Sequence, residues 1–141
     1  MKSLYLDTNI FIYLSDKNSP FYNNCLKLIN YSEDKGIFLS TSTETIQDII
    51  HYSKNTKQLP QGLELAKNAL LLIDTLYPIN KTTIDIYLKQ AEIYPSLESR
   101  DLIHLSVCTE NKVDLIASYD KKFKTFKGVS VELPEEVISL N

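Results

Sequence analysis

Short apolar segments alternate with longer helix-patterned ones along the chain, and at four junctions a carboxylate stands where one gives way to the next. Leu4-Tyr5-Leu6 ends on Asp7 and is followed by Ile10-Phe11-Ile12-Tyr13-Leu14. Ile37-Phe38-Leu39-Ser40 leads to Glu44. Asp101 opens Leu102-Ile103-His104-Leu105, and Leu115-Ile116-Ala117-Ser118 leads to Asp120. Alternation of strand and helix patterns implies a mostly parallel sheet covered on both faces. In such a sheet the carboxyl ends of the strands lie along one edge, and ligands bind there. Four acids on one edge make a divalent-metal site, which points to phosphodiester chemistry.

The fold expected is a three-layer α/β/α domain with a five-stranded central sheet, spanning residues 1–141 as one unit. Strands are expected at 3–7, 37–41, 77–80, 114–118 and 129–132. Helices are expected at 9–15, 21–34, 42–53, 61–76, 82–93 and 100–111, with a further turn or two at 121–126. Residues 55–60 form a polar break that reads as a loop between helices. No internal repeat and no low-complexity tract interrupts the pattern.

A 43% hydrophobic and 23% charged composition allows one buried core in an ordinary soluble chain. The only cysteines, Cys25 and Cys108, lack ligand spacing and read as buried free thiols of a reducing compartment. Met1-Lys2-Ser3 runs directly into a strand without a secretory leader, and no apolar run reaches the ~20 residues of a membrane span. A cytoplasmic protein with no membrane partner is expected. The net charge of -3 argues mildly against phosphate binding, but acids that hold metal ions are neutralised by them. Positive groups also stand beside two of the junction acids: Arg100, the sole arginine, precedes Asp101, and Lys121, Lys122, Lys124 and Lys127 follow Asp120.

Each junction acid has a plain structural explanation. Asp7 and Asp120 can cap the helices after them. Thr41-x-x-Glu44 fits a capping box. Asp101 falls in a first helical turn, where the macrodipole favours an acid. Their shared position is harder to explain by capping. Asp114 precedes its strand and so belongs to the opposite edge, and Asp16, Asp34, Asp74 and Asp85 lie away from the site. Asp48, one turn after Glu44, reads as a solvated residue that could assist. Magnesium and manganese prefer oxygen ligands, and two such ions can activate water and stabilise a departing oxygen at phosphorus. His104 suits such hard ions poorly and reads as a packed or hydrogen-bonded residue near the sheet edge. With only Gly36, Gly62 and Gly128, the chain has no phosphate-cradling glycine loop.

Leu4-Tyr5-Leu6-Asp7-Thr8-Asn9-Ile10-Phe11 resembles the opening motif of PIN-domain nucleases. Ser99-Arg100-Asp101-Leu102-Ile103-His104-Leu105 resembles their third acidic motif, and Ile116-Ala117-Ser118-Tyr119-Asp120-Lys121-Lys122-Phe123 their fourth. Glu44 matches the second acid by order, although Asp48 competes for that place. The motifs fall in the family's order over essentially the whole chain, and the length resembles that of VapC-type toxins. The resemblance implies a Mg²⁺- or Mn²⁺-dependent endoribonuclease with Asp7, Glu44, Asp101 and Asp120 as its acidic quartet. It implies that Asn9 and Ser118 support the metal site and that Thr8 orients the turn. It also implies a homodimer and, in VapC-type members, a small antitoxin that covers the pocket. Arg100, Tyr119, Lys121, Lys122 and Lys124 are candidate RNA contacts.

Other readings remain open from the residues alone. One is a PIN nuclease that is not a toxin; another is a catalytically silent PIN-like module that binds RNA or protein. A haloacid-dehalogenase-like phosphatase needs a second acid two residues after the first, where this chain has Asn9. A phosphoacceptor receiver module needs an acidic pair at the end of the first strand and has no use for Glu44 or Asp101.

Overall fold

Strand β1 (Ser3–Leu6) is the axis of the sheet. In this computed structural model, which describes residues 1–120, 126 and 128–140, β1 pairs with β2 (Phe38–Ser42) on one side and β4 (Leu115–Ala117) on the other. Strand β3 (Thr75–Tyr77) continues the sheet beyond β2, and β5 (Ser130–Glu132) continues it beyond β4. The order is β3-β2-β1-β4-β5 and every pairing is parallel. The five-stranded α/β expectation therefore holds, with no antiparallel exception among the described strands.

Strand periodicity builds the three layers. Side chains of successive strand residues point to opposite faces. Leu4 and Leu6 of β1 and Leu115 and Ala117 of β4 join one apolar core, whereas Tyr5 and Ile116 join the other. The first core is covered by α1 (Thr8–Leu14), α2 (Tyr22–Lys35), α3 (Thr43–Asn55) and α4 (Leu59–Leu72), with Ile10, Phe11, Cys25, Leu28, Ile49, Ala66 and Ala69 buried in it. The second is covered by α6 (Ser99–Glu110) through Leu105, Val107 and Cys108. Helix α5 (Lys81–Ile93) packs on α6, and α7 (Pro134–Ile138) packs on α2. Both cysteines are buried free thiols, as expected. Among the described residues no helix is long and apolar enough to cross a membrane.

Several boundaries differ from the sequence expectation, and three departures have an identifiable cause. The helix expected at 61–76 stops at Leu72. Asp74 then pairs with Leu39 twice, donating its amide to the Leu39 carbonyl at 2.8 Å and accepting the Leu39 amide on Oδ2 at 2.8 Å. That clasp pulls the chain into the sheet, so β3 occupies 75–77 rather than 77–80. Pro78 cannot donate to a ladder, and Asn80 is committed to capping α5 by accepting the Thr83 amide at 3.1 Å. The Thr41–Glu44 capping box does not form. Thr41 instead donates to the Leu6 carbonyl at 2.8 Å, and α3 begins one residue later behind Ser42. Helix α7 was not anticipated, although Pro134 in its first turn and Glu136 accepting the Leu133 amide at 3.0 Å are recognisable start signals. The turn expected at 121–126 lies mostly outside the described residues.

Helices α3 and α4 approach closely at Gly62. A methyl group there would stand 1.9 Å from Ser53 Oγ and 2.2 Å from Ser53 Cβ. Ser53 is itself buried and tied to the Ile49 carbonyl at 2.7 Å, so it has no free direction in which to yield. Gly62→Ala should therefore force the helices apart and cost about 1–3 kcal/mol, outweighing the better helix propensity of alanine. Denaturant unfolding of the variant against the parent checks this.

Candidate active site

After β1 the sheet grows outward through β2 and β3, and the chain returns to add β4 on the opposite side of β1. This reversal opens a crevice at the carboxyl ends of β1 and β4. Asp7 sits at the end of β1, caps α1 by accepting the Thr8 amide at 2.8 Å, and is 6% exposed. Its own amide donates to the Ala117 carbonyl at 3.1 Å, so it is pinned to β4 before its side chain makes any contact.

Ser118 closes the crevice from the β4 side. Its hydroxyl donates to Asp7 Oδ2 at 2.6 Å and accepts from the Asp120 amide at 2.9 Å and from Asn9 Nδ2 at 3.1 Å. A hydroxyl has one hydrogen and two lone pairs, and all three are used. Asn9 Nδ2 also lies 3.3 Å from Asp7 Oδ2, and Asn9 Oδ1 accepts the Tyr119 amide at 3.2 Å. Asn9 and Ser118 therefore knit the turn after β1 to the turn after β4.

Helix α6 brings Asp101 to the crevice in its first turn, 6% exposed, with Oδ2 buried and lacking a hydrogen-bond partner. Burial, reinforced by the charges of Asp120, Asp7 and Glu98, pushes its carboxyl up to about 7, against a lesser opposing effect of His104. Asp101 thus lies within electrostatic reach of both Asp7 and Asp120.

Helix α3 contributes two acids one turn apart, on one face. Glu44 is half-buried, and desolvation followed by repulsion from Asp48 raises its pKa, partly offset by His104 and Arg100. Asp48 is not the solvated residue expected. It accepts from Thr8 Oγ1 at 3.1 Å, lies 3.4 Å from His104 Nε2, and has Arg100 Nε at 3.8 Å. Burial alone would raise its pKa, but the hydrogen bonds and charges of His104, Thr8 and Arg100 prevail and lower it. Arg100 therefore faces Asp48.

His104 is the residue the sequence signalled least. It is 2% exposed, with Nε2 also 3.6 Å from Asp7 Oδ1 and Nδ1 hydrogen-bonded to the Tyr5 hydroxyl. Burial would lower its pKa, but the Asp48 hydrogen bond and the charges of Asp7, Asp48 and Glu44 raise it. Its signal was a lone imidazole one turn after Asp101, as Asp48 was a second acid one turn after Glu44. Tyr119, a candidate substrate contact, packs its ring against Phe21 and Tyr13 at centroid distances of 4.4 and 5.5 Å and donates to Glu135 at 3.0 Å. Lys121, Lys122 and Lys124 lie outside the described residues.

Among the described residues no three His, Cys, Asp or Glu side chains already form a liganding array. The buried, unpartnered Asp101 Oδ2 is nevertheless an acceptor that a cation would satisfy, and the facing acids offer oxygen alone. The residue types fit a hard divalent cation.

The family model for the PIN domain matches residues 4–129. The chain belongs to the PIN domain family. Ribonuclease VapC13 of Mycobacterium tuberculosis is 24% identical over 127 residues, covering 89% of this chain and 96% of that protein. Among solved structures, Mycobacterium tuberculosis VapC20, described as a sarcin-ricin loop cleaving toxin, superposes with a TM-score of 0.72 at 12% identity and covers 89% of this chain and 98% of its own. A toxin-antitoxin complex from Klebsiella pneumoniae superposes with a TM-score of 0.67 at 19% identity, covering 93% of this chain and 97% of the other. These structural likenesses establish the shared fold. With the PIN fold in place, the phosphatase and receiver readings lose their footing.

The raised Asp101 pKa has a definite sign in folding. The folded state holds that proton more tightly than the unfolded chain, whose aspartates titrate near ~3.9. The metal-free protein should therefore lose stability as pH rises from about 4 to about 7, with the whole penalty present above that. Asp101→Asn should stabilise the metal-free protein at pH 8 by on the order of 2 kcal/mol, allowing for solvent screening, and by little near pH 4. Urea unfolding in EDTA across that range measures the difference.

Proposed function

We propose that this chain is a Mg²⁺- or Mn²⁺-dependent endoribonuclease that acts as the toxin of a toxin–antitoxin pair. The observation that carries this reading is the meeting of Asp7, Asp101 and Asp120 at one sheet edge, with a buried carboxylate oxygen unsatisfied. Named ribonucleases among PIN relatives along nearly the full chain support it.

Asp7, Asp101 and Asp120 would hold the ion, with an α3 acid beside them. A bound ion would supply charge to offset the phosphate and to activate water. Asn9 and Ser118 hold Asp7 and the Asp120 backbone at fixed spacing, so the acids need little reorganisation on loading. Glu44 was the α3 acid expected. Asp48 is the better placed of the two, through its bonds to Thr8 and His104. Arg100, half exposed beside Asp48, is positioned to meet a phosphate of the RNA. Lys121, Lys122 and Lys124 follow Asp120 in sequence and remain candidates for backbone contacts.

An antitoxin partner is supported by the fold's likeness to toxin–antitoxin complexes. A homodimer is proposed as well. Exposed apolar residues Leu63, Leu70 and Leu71 on α4 and Leu88 and Ile93 on α5 supply surface for such association. The two buried thiols suit a cytoplasmic setting.

The direct test is cleavage of single-stranded RNA by the purified chain with Mg²⁺ or Mn²⁺. Activity should vanish in EDTA and fall at least ~100-fold in Asp7→Asn, since loss of a ligand should exceed the effect of losing an outer partner. Undiminished cleavage in both cases would remove the nuclease reading. Asp48→Asn should lower the rate more than Glu44→Gln. The reverse ranking would return the second acid to Glu44. Growth arrest on induction, relieved by Asp7→Ala and by a co-expressed neighbouring antitoxin, examines the toxin role separately.

A further inference from the structure

We infer that His104 is a positioning residue that sets the separation of Asp7 and Asp48 by presenting its Nε2–H between the two carboxylates. The inference deepens the acidic-site reading above and rests on it where metal binding is concerned.

Asp7 comes from the end of β1, Asp48 from α3, and His104 from α6. Two residues reach both acids: Thr8, through its amide and its hydroxyl, and His104, through a single nitrogen. Its Nε2 lies 3.4 Å from Asp48 Oδ2 and 3.6 Å from Asp7 Oδ1. An ionised carboxylate can only accept, so a nitrogen facing two of them must carry its hydrogen. The other side of the ring is equally constrained. Nδ1 meets the Tyr5 hydroxyl, which is also 2.7 Å from Ser42 Oγ, and the Tyr5 ring stands edge-on to the imidazole at a centroid distance of 5.6 Å. In the neutral ring one order of donation satisfies every member: Ser42 to Tyr5, Tyr5 to Nδ1, and Nε2 to Asp48. Tyr5, Ser42 and His104 are all buried, so solvent does not compete for these bonds.

A histidine serving only to fill the core would be indifferent to which nitrogen carries the hydrogen. The arrangement here orients the ring by one strand residue and aims it at the acids. Without it, Thr8 alone would link the pair, by its amide to Asp7 at 2.8 Å and its hydroxyl to Asp48 at 3.1 Å, and no donor would stand between the two carboxylates to offset their repulsion. Outer partners of metal ligands act in this way: they fix the ligand geometry without touching the ion.

The test uses the full chain and three variants, His104→Gln, His104→Leu and Tyr5→Phe. Glutamine can place an amide donor near the Nε2 position, whereas leucine keeps bulk and removes the donor. In the metal-free protein, long-range ¹H–¹⁵N spectra of the imidazole should show a hydrogen on Nε2, and Tyr5→Phe should leave it there while the Nδ1 resonance moves with the loss of its hydroxyl partner. Calorimetric Mn²⁺ titration should show His104→Gln within about threefold of the parent and His104→Leu weaker by about 10–100-fold. A bare Nε2 in the parent, parental Mn²⁺ affinity in His104→Leu, or equal loss in the glutamine and leucine variants at matched stability would overturn the inference. If His104→Leu fails to fold, the spectra of the parent and Tyr5→Phe, with the glutamine titration, still decide it. A parent that shows the expected ring but binds no Mn²⁺ would overturn the metal reading instead, while the positioning of the two acids stands on the spectra.

Discussion

The parallel pairing of β1 with β4 is the contact on which the rest depends. It joins residues more than a hundred positions apart, seating the Asp7 amide on the Ala117 carbonyl at 3.1 Å and the Ser118 hydroxyl on the Asp7 carboxylate at 2.6 Å. The backbone bond sets register, and a one-residue slip would turn Asp7 toward the wrong face. The side-chain bond then fixes which oxygen of Asp7 remains for other work. Because the sheet grows in both directions from β1, this pairing also defines the crevice into which α3 and α6 deliver their acids.

Around that contact the core is not uniformly apolar. The face of the sheet beneath the crevice carries a polar seam: Thr41 bonds the Leu6 carbonyl and Thr45, Ser42 bonds Tyr5, and Tyr5 bonds His104. All of these residues are buried. Each polar group in such a seam has to be satisfied or its desolvation becomes a net cost. Here they are satisfied as a connected chain, which fixes rotamers more tightly than separate apolar contacts would. Asp101, one turn before His104 on α6, keeps a buried Oδ2 without a hydrogen-bond partner.

How far the sequence revealed this depended on the range of the interactions. Period-two strands and the acids that end them are local patterns, and they disclosed the α/β architecture and the edge occupied by Asp7, Asp101 and Asp120. The end of α4 was misjudged because it is set by Asp74 reaching across to Leu39, a contact invisible to helical periodicity. The Thr41 capping box was misjudged for the same reason: the Thr41 hydroxyl had a stronger claim on it from Leu6. Asp48 looked solvated because one turn of helix separates it from Glu44 and nothing local says what faces it. Its partners Thr8, Arg100 and His104 come from two other helices.

The gathered acids work against the fold that gathers them. Carboxylates of Asp7, Asp101, Asp120, Glu44 and Asp48 share one crevice, and the upward shifts at Asp101 and Glu44 express their desolvation and mutual repulsion. The chain answers that repulsion unevenly. Arg100 and His104 both serve the Asp48 side, and the Asp48 carboxyl is held below its ordinary value there. Asp101 receives only a lesser opposing effect from His104, and its carboxyl stays pushed up to about 7. Compensation is thus concentrated where a carboxylate is to be held in place. An amide at position 101 would carry no such penalty, so packing alone does not account for a buried carboxylate there.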